Sequence, residues 1–221
     1  MTTVVHLLRH GEVHNPTGVL YGRMPGYHLS EAGRTMAQTA AGSVADRDIT
    51  RLVSSPLERA QETAAAFAEV LGLPVTVDDR VIESTNKFEG KRFGVGDGVL
   101  WRPSSWPLLW NPFRPSWGEP YVDIARRMEA AINDARDAAE GHEALIVSHQ
   151  LPIWTVRLHL EGRSFLHDPR HRQCSLCSLT SLTFDGDRLI AIGYSEPAGH
   201  LIAAKDRRAP FSSGGSDGEA P

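Results

Sequence analysis

Two histidines and two arginines occupy positions from which they could share one ligand. Arg9 and His10 come directly after a short apolar run, Arg59 lies near the start of a helix-like segment, and His149 follows a second apolar run. Guanidinium forks meet phosphoryl oxygens bidentately and imidazolium groups meet them as charge-assisted donors, so these residue types suit a phosphate dianion. A histidine with an ordinary pKa of about 6.5 also offers a neutral nitrogen near pH 7, which makes His10 a candidate nucleophile. Arg9, Arg59 and His149 would then stabilise charge growing on the equatorial oxygens of the transition state. A departing alkoxide needs a proton. Glu83, after Val81 and Ile82, is the candidate donor, because a bound phosphate would raise its pKa by like-charge repulsion.

The elements that must position these groups alternate. Val4 to Leu8 is β-branched and apolar and stops at Arg9, as a central strand buried on both faces does when it ends at a functional loop. After a long loop from Arg9 to Leu29, Ser30 is a candidate N-cap for a helix in SEAGRTMAQTAAGSVA. Leu52 to Ser54 reads as a strand, and Pro56 suits the first turn of a helix that lines up Leu57, Ala60, Ala64, Phe67 and Leu71 and stops near Gly72. Pro74 to Val77 offers another strand, Tyr121 to Ala139 a long amphipathic helix, Ala144 to Val147 a buried strand, and Pro152 to Leu160 a helix. Cys174 to Phe184 and Arg188 to Tyr194 flank Asp185-Gly186-Asp187 as an antiparallel hairpin. The fold class expected is α/β, a three-layer α/β/α sandwich with a mixed, mostly parallel sheet. In such sheets ligands bind at the carboxyl edge of the strands, where Arg9, His10 and His149 fall.

The 221 residues are 41% hydrophobic and fit a single domain over 1–204, followed by a disordered tail over 205–221 ending APFSSGGSDGEAP. With 23% charged residues and a formal net charge of -4, the whole-chain field gives no reason to invoke nucleic acid or an acidic membrane. The start, MTTVVHLLRH, has no signal-peptide pattern, and no window approaches about 18 uninterrupted apolar residues, so a cytoplasmic location is expected. Cys174 and Cys177 have CxxC spacing, but in the alternating run CSLCSLTSLTF they read as strand residues on opposite faces, hence as buried thiols. His6, His10 and His14 are spaced by four, which has metal-binding meaning only on a helix; no metal and no cofactor are expected. Residues 94–120 hold four of the five tryptophans, Trp101, Trp106, Trp110 and Trp117, with five prolines, and read as an irregular insertion. Those rings either cover the core or line a substrate entrance, where Arg102 or Arg114 could meet a second anion.

LLRHGE at 7–12, SSPLERAQETA at 54–64, Glu83 before FEG at 88–90, and VSH at 147–149 together resemble the histidine phosphatase superfamily, in the branch similar to phosphoglycerate mutases. The resemblance runs in order from about residue 4 to 194. It implies a phosphorylated His10, phosphoryl binding by Arg9, Arg59 and His149, and proton donation by Glu83. It also implies that Asn15 and Arg23 line the phosphate and substrate pocket, that Gly22 admits a close backbone approach, and that Gln150 supplies a backbone N–H. A homodimer is compatible with it. Three departures stand out: HGEVHN brings Asn15 one residue closer to His10 than the commoner spacing, SHQLP replaces glycines after the histidine, and Ser84, Thr85 and Asn86 replace the ER-Y-G type sequence of the mutases.

The expectation that follows is a metal-independent phosphatase acting on a small phosphomonoester through phospho-His10. The alternatives are a phosphoglycerate mutase, which returns the phosphoryl group to its substrate, and a non-catalytic module that binds phospholigands with the same pocket. The Ser84 to Asn86 departure favours the phosphatase over the mutase, and a carboxyl acid at Glu83 disfavours the binding module.

Overall fold

A computed structural model describes residues 1–91, 118–166, 168 and 171–202, and the backbone of 215–216. A six-stranded sheet forms its centre, in the spatial order β4-β3-β5-β1-β6-β7. The strands are β1 (Thr2–Arg9), β3 (Ile49–Ser54), β4 (Val75–Val77), β5 (Glu143–Ser148), β6 (Leu179–Asp185) and β7 (Arg188–Ser195). β4, β3, β5 and β1 run parallel; β6 joins β1 antiparallel and β7 closes the edge antiparallel to β6. A second pairing joins β2 (Val13–His14) to β8 (Gly215–Ser216).

Pleating sends alternate residues of the central strands into two separate cores. On β5, Leu145 and Val147 enter one core with Leu8 and Leu52, whereas Ala144 and Ile146 enter the other with Val5 and Leu7. The first core is covered by α1 (Glu31–Gly42) and α2 (Glu58–Leu71) through Met36, Ala40, Ala64 and Phe67. The second is covered by α3 (Tyr121–Ala138) and α4 (Gln150–Leu160) through Ile124, Met128, Ile132, Ile153 and Val156. Near-continuous apolar strands follow from this arrangement, since each strand is buried on both faces. Complete burial of a side chain such as Ile146 stabilises the fold by roughly 1.5–3 kcal/mol. The three-layer mixed sandwich expected from the alternation is the architecture observed.

Local signals behave as their chemistry requires. Ser30 caps α1, its hydroxyl accepting from the Gly33 N–H at 3.0 Å. Gly72 ends α2 in the left-handed region at φ 66°. Gly11 and Gly33 let the loop after β1 press on α1: a Cβ at Gly33 would lie 2.0 Å from the Glu12 carbonyl oxygen.

Three of the expected element boundaries need correction. Cys174 and Cys177 are not in a strand; β6 begins only at Leu179, and Cys177 sits in a turn at φ 51°. Residues 174–178 form a loop instead, whose Cys174 carbonyl accepts from Arg9 and in which Cys174 and Cys177 are both buried free thiols. Pro56 precedes α2 rather than entering its first turn, since Leu57 is the cap residue. α4 starts at Gln150, two residues early, because the chain turns into helix directly after β5. The loop after Arg9 contains the short β2. Within the expected tail, Gly215–Ser216 pairs with β2, and the rest of it lies outside the described residues.

Candidate active site

Strand register assembles the site. β1 and β5 pair from Val4 with Glu143 through Arg9 with Ser148, so His10 and His149 are the next residues on two adjacent parallel strands. The His10 N–H donates to the Ser148 carbonyl at 3.2 Å, and the two imidazole centroids lie 5.1 Å apart. β3 continues the pattern: Ser54 pairs with Val147, and the Ser55 N–H donates to the Val147 carbonyl at 2.9 Å. Three parallel strand ends thus deliver Ser55, His149 and His10 side by side.

His10 is 3% exposed, and its Nδ1 lies 2.7 Å from the Gly11 carbonyl oxygen. A carbonyl only accepts, so Nδ1 carries the proton and Nε2 keeps its lone pair. Burial, then Arg59 and Arg9, hold its pKa well below the ordinary value, against the opposing pull of the Gly11 hydrogen bond. The ring is neutral at pH 7.

His149 is fully buried, with Nε2 2.7 Å from the Ser55 hydroxyl. That hydroxyl also accepts from the Leu57 N–H at 3.4 Å, leaving its own proton for His149. The ring then carries its proton on Nδ1, a buried atom with no hydrogen-bond partner. Burial first, then Arg59 and His10, depress this pKa as well. Arg59, at the start of α2, is also fully buried; one nitrogen, Nη2, donates to the Gly22 carbonyl at 2.6 Å, while Nε and Nη1 have no partner. The guanidinium lies 4.7 Å from the Tyr21 ring centroid, and Tyr27 stacks on Tyr21 at 4.9 Å. Arg9 anchors one nitrogen on the Cys174 carbonyl at 2.8 Å.

Glu83 faces this basic group from the segment after Val81. Burial raises its pKa despite the Ser84 N–H, which donates to its Oε1 at 2.8 Å, and despite the fields of Arg59, Arg9 and Arg127. Arg23 donates its Nε to the Glu83 carbonyl at 2.6 Å and Nη2 to Glu119 at 3.1 Å, so its fork is committed to the neighbourhood of Glu83. Gly22 sits at φ 43°, and a Cβ there would meet the Glu89 carboxyl at 2.2 Å, the same carboxyl that accepts from the Arg23 N–H. Three partnerless buried donors on Arg59 and His149, a neutral imidazole lone pair and a carboxyl biased toward its acid form therefore lie together. Buried donors of this kind cost stability unless an acceptor-rich ligand meets them, and a tetrahedral oxyanion does.

A family model, described as histidine phosphatase superfamily (branch 1), matches residues 5–196. The chain belongs to the histidine phosphatase superfamily. One superfamily relative, the uncharacterized protein Rv0525 of Mycobacterium tuberculosis, is 58% identical over 196 residues, covering 89% of this chain and 97% of the relative. The "Probable phosphoglycerate mutase GpmB" of Yersinia pestis is 28% identical over 194 residues, covering 86% and 89%. Among solved structures, mycobacterial glucosyl-3-phosphoglycerate phosphatase Rv2419c in complex with VO3 has a TM-score of 0.63 and 27% identity, covering 81% of this chain and 92% of its own. Bacillus stearothermophilus YhfR shares the fold with a TM-score of 0.73 at 24% identity, covering 90% and 100%.

The remaining candidates are less central. Asn15 is buried, but its side chain closes its own loop: Nδ2 donates to the Val19 carbonyl at 2.9 Å, and Oδ1 accepts from the Val19 N–H at 3.3 Å. Gln150 opens α4 next to His149, and its side-chain amide reaches the Cys174 carbonyl at 3.4 Å. His6, His10 and His14 diverge: His6 bonds Ser181 and Glu143 within the sheet and His14 is exposed. Among the described residues no cluster of three or more His, Cys, Asp or Glu side chains could hold a metal ion. Nor is any described helix long and apolar enough to cross a membrane. Trp101, Trp106, Trp110 and Trp117, with Arg102 and Arg114, lie outside the described residues. The motif reading passed over Ser55, Tyr21, Arg127 and Glu119. Ser55 stood within the quoted SSP run, but its importance comes from a partner 94 positions away.

Proposed function

We propose that the protein is a metal-independent phosphomonoesterase that forms a covalent phosphohistidine on His10. The observation that carries this reading is the pairing of His10, whose Nε2 lone pair is left open by the Gly11 hydrogen bond, with buried unpartnered donors on Arg59 and His149. Nε2 attacks phosphorus, the P–O bond to the leaving group breaks, and the Glu83 carboxyl passes its proton to the departing oxygen. Arg9, Arg59 and the His149 Nδ1–H receive the charge that spreads over the three equatorial oxygens. Glu83, now a carboxylate, takes a proton from water, whose oxygen attacks the phosphohistidine; inorganic phosphate leaves and the neutral imidazole returns. Asn15, Gly22, Arg23 and Gln150 shape the surroundings of this centre.

Rapid-quench labelling with a phosphorylated substrate tests the reading. Acid-labile label on His10 that turns over to free phosphate is the expected result; a His10→Ala variant that remains active, or label held elsewhere, ends it. Likeness to a phosphoglycerate mutase motivates one further arm. Interconversion of 2- and 3-phosphoglycerate much faster than phosphate release would reassign the phosphoryl acceptor from water to the substrate. Binding of phosphate esters with no turnover across a broad substrate panel would instead leave a binding module.

A further inference from the structure

Glu83 stands on irregular chain, after a single 3-10 turn at Asp79–Val81 and with no strand or helix to fix it. Four consecutive carbonyls of this segment nevertheless accept side-chain donors. Arg127 Nη1 reaches the Arg80 and Ile82 oxygens at 2.6 and 2.7 Å, the Ser148 hydroxyl reaches Val81 at 2.7 Å, and Arg23 Nε reaches Glu83 at 2.6 Å. The two arginines come from different parts of the chain and are joined by one carboxylate. Glu119 accepts from Arg127 in bidentate fashion, Nε at 2.8 Å and Nη2 at 3.1 Å, and from Arg23 Nη2 at 3.1 Å. Glu119 is itself anchored by its N–H to the Thr85 carbonyl at 3.3 Å, beside the bridge between Asn86 and Gly118.

We infer that Glu119 is a positioning residue for the proton donor: it clamps Arg23 and Arg127 onto the 80–83 backbone and thereby aims the Glu83 carboxyl at the leaving group. This rests on the reading of Glu83 as the acid. The clamp has an electrostatic side too. Arg127 already draws the Glu83 proton affinity downward, and the Glu119 carboxylate supplies the counter-charge that limits this pull. A bidentate arginine–carboxylate pair with both side chains only 16% exposed is the geometry in which such a pair is worth more than an ordinary surface ion pair.

The test compares wild type, Glu119→Gln and Glu83→Gln on p-nitrophenyl phosphate, whose leaving group needs little protonation, and on glycerol phosphate, whose alkoxide needs a proton. General acid catalysis contributes roughly 10²–10⁴-fold, so a misaimed acid in Glu119→Gln should lower kcat/KM, which reads only the phosphoryl transfer to His10, by roughly 10–100-fold on the alkyl ester, spare kcat/KM on the aryl ester, and move the alkaline limb of the alkyl profile to lower pH. Equal losses of kcat/KM on both esters, or none on the alkyl ester, would overturn the clamp. A ¹³C titration of the Glu83 carboxyl, assigned through Glu83→Gln, gives a readout that needs no turnover: it should fall toward the ordinary carboxylate range in Glu119→Gln, and an unchanged titration overturns the inference. Arg127→Lys, which keeps the charge and loses the fork, serves if Glu119→Gln does not fold. If Glu83→Gln spares the alkyl ester, the acid assignment fails and takes the clamp with it; a clamp that fails alone leaves Glu83→Gln impaired and Glu119→Gln like wild type.

Discussion

Removing one hydroxyl, in Ser55→Ala, should disable His149 without touching the phosphoryl acceptor. In the intact protein the Ser55 hydroxyl donates to His149 Nε2 at 2.7 Å, and both residues are fully buried. That bond selects the tautomer whose proton stands on Nδ1, the atom offered to the ligand. In the alanine variant Nε2 is left unmet in a dry site, at a cost of about 1–3 kcal/mol. Neither tautomer then satisfies Nε2, so the preference for the Nδ1–H form is lost, and the Nε2–H form makes Nδ1 an acceptor facing an anion. At about 1.4 kcal/mol per tenfold, the lost interaction corresponds to a fall in kcat/KM of roughly 5–150-fold, with inhibition by orthovanadate weakened by a similar factor. Steady-state kinetics on a phosphate ester gives the first number, and long-range ¹H–¹⁵N spectra of His149 report the tautomer directly. Ser55→Thr, which keeps the hydroxyl, should recover most of the rate. Full activity in Ser55→Ala, or a wild-type spectrum with the proton on Nε2, would refute the reasoning.

His6, His10 and His149 all have depressed pKa values, led in each case by burial, so the unfolded chain binds protons before the folded one does. Stability from these residues is complete above about pH 6.5 and drains as pH falls below it, at up to about 1.4 kcal/mol per pH unit for each histidine; denaturant melts in phosphate-free buffer should show this slope, reduced in His10→Gln. Gly33→Ala would drive a Cβ to 2.0 Å from the Glu12 carbonyl oxygen, a contact with backbone that no rotamer relieves. A loss of about 1–3 kcal/mol is expected, seen calorimetrically as a Tm lower by roughly 2–12 °C, with activity reduced because His10 shares that loop. Burial pushes the thiols of Cys174 and Cys177 up to about 11 and about 12, so neither should react with a thiol reagent at pH 8 until the protein is unfolded.

Arg9, His10 and His149 were legible because their placement is local: each follows an apolar strand directly, and the carboxyl edge of a parallel sheet does the rest. Arg59 was legible for a related reason, in the first turn of a helix that follows a strand. Glu83 was harder: it could be named as a carboxyl after Val81 and Ile82, but the chain before it holds only a three-residue strand and a 3-10 turn, so its proximity to the basic group comes from the fold and not from periodicity. Ser55, Glu119 and Arg127 were illegible in a single sequence because their significance is pairwise, through partners on distant segments. The same limit explains the cysteines. Apolar residues in CSLCSLTSLTF report burial, and a loop whose Cys174 carbonyl holds Arg9 buries Cys174, Leu176 and Cys177 as readily as a pleated strand would. Asn15 shows the reverse case, a polar residue close to His10 in sequence whose side chain closes residues 15–19.

The sheet changes direction at β1, with parallel β5 on one side and antiparallel β6 on the other, and His10 hangs from the end of that doubly held strand. Two ladders of backbone hydrogen bonds make the strand that carries His10 as stiff as the whole fold. Glu83 has no ladder; its stiffness is that of side-chain donors to the 80–83 carbonyls, three from the guanidinium groups of Arg127 and Arg23 and one from the Ser148 hydroxyl. The two halves of the chemistry therefore answer to different variables. On the proposed chemistry, mild denaturant should reach the acid first, so that turnover of esters with poor leaving groups fades while the capacity to capture a phosphoryl group persists.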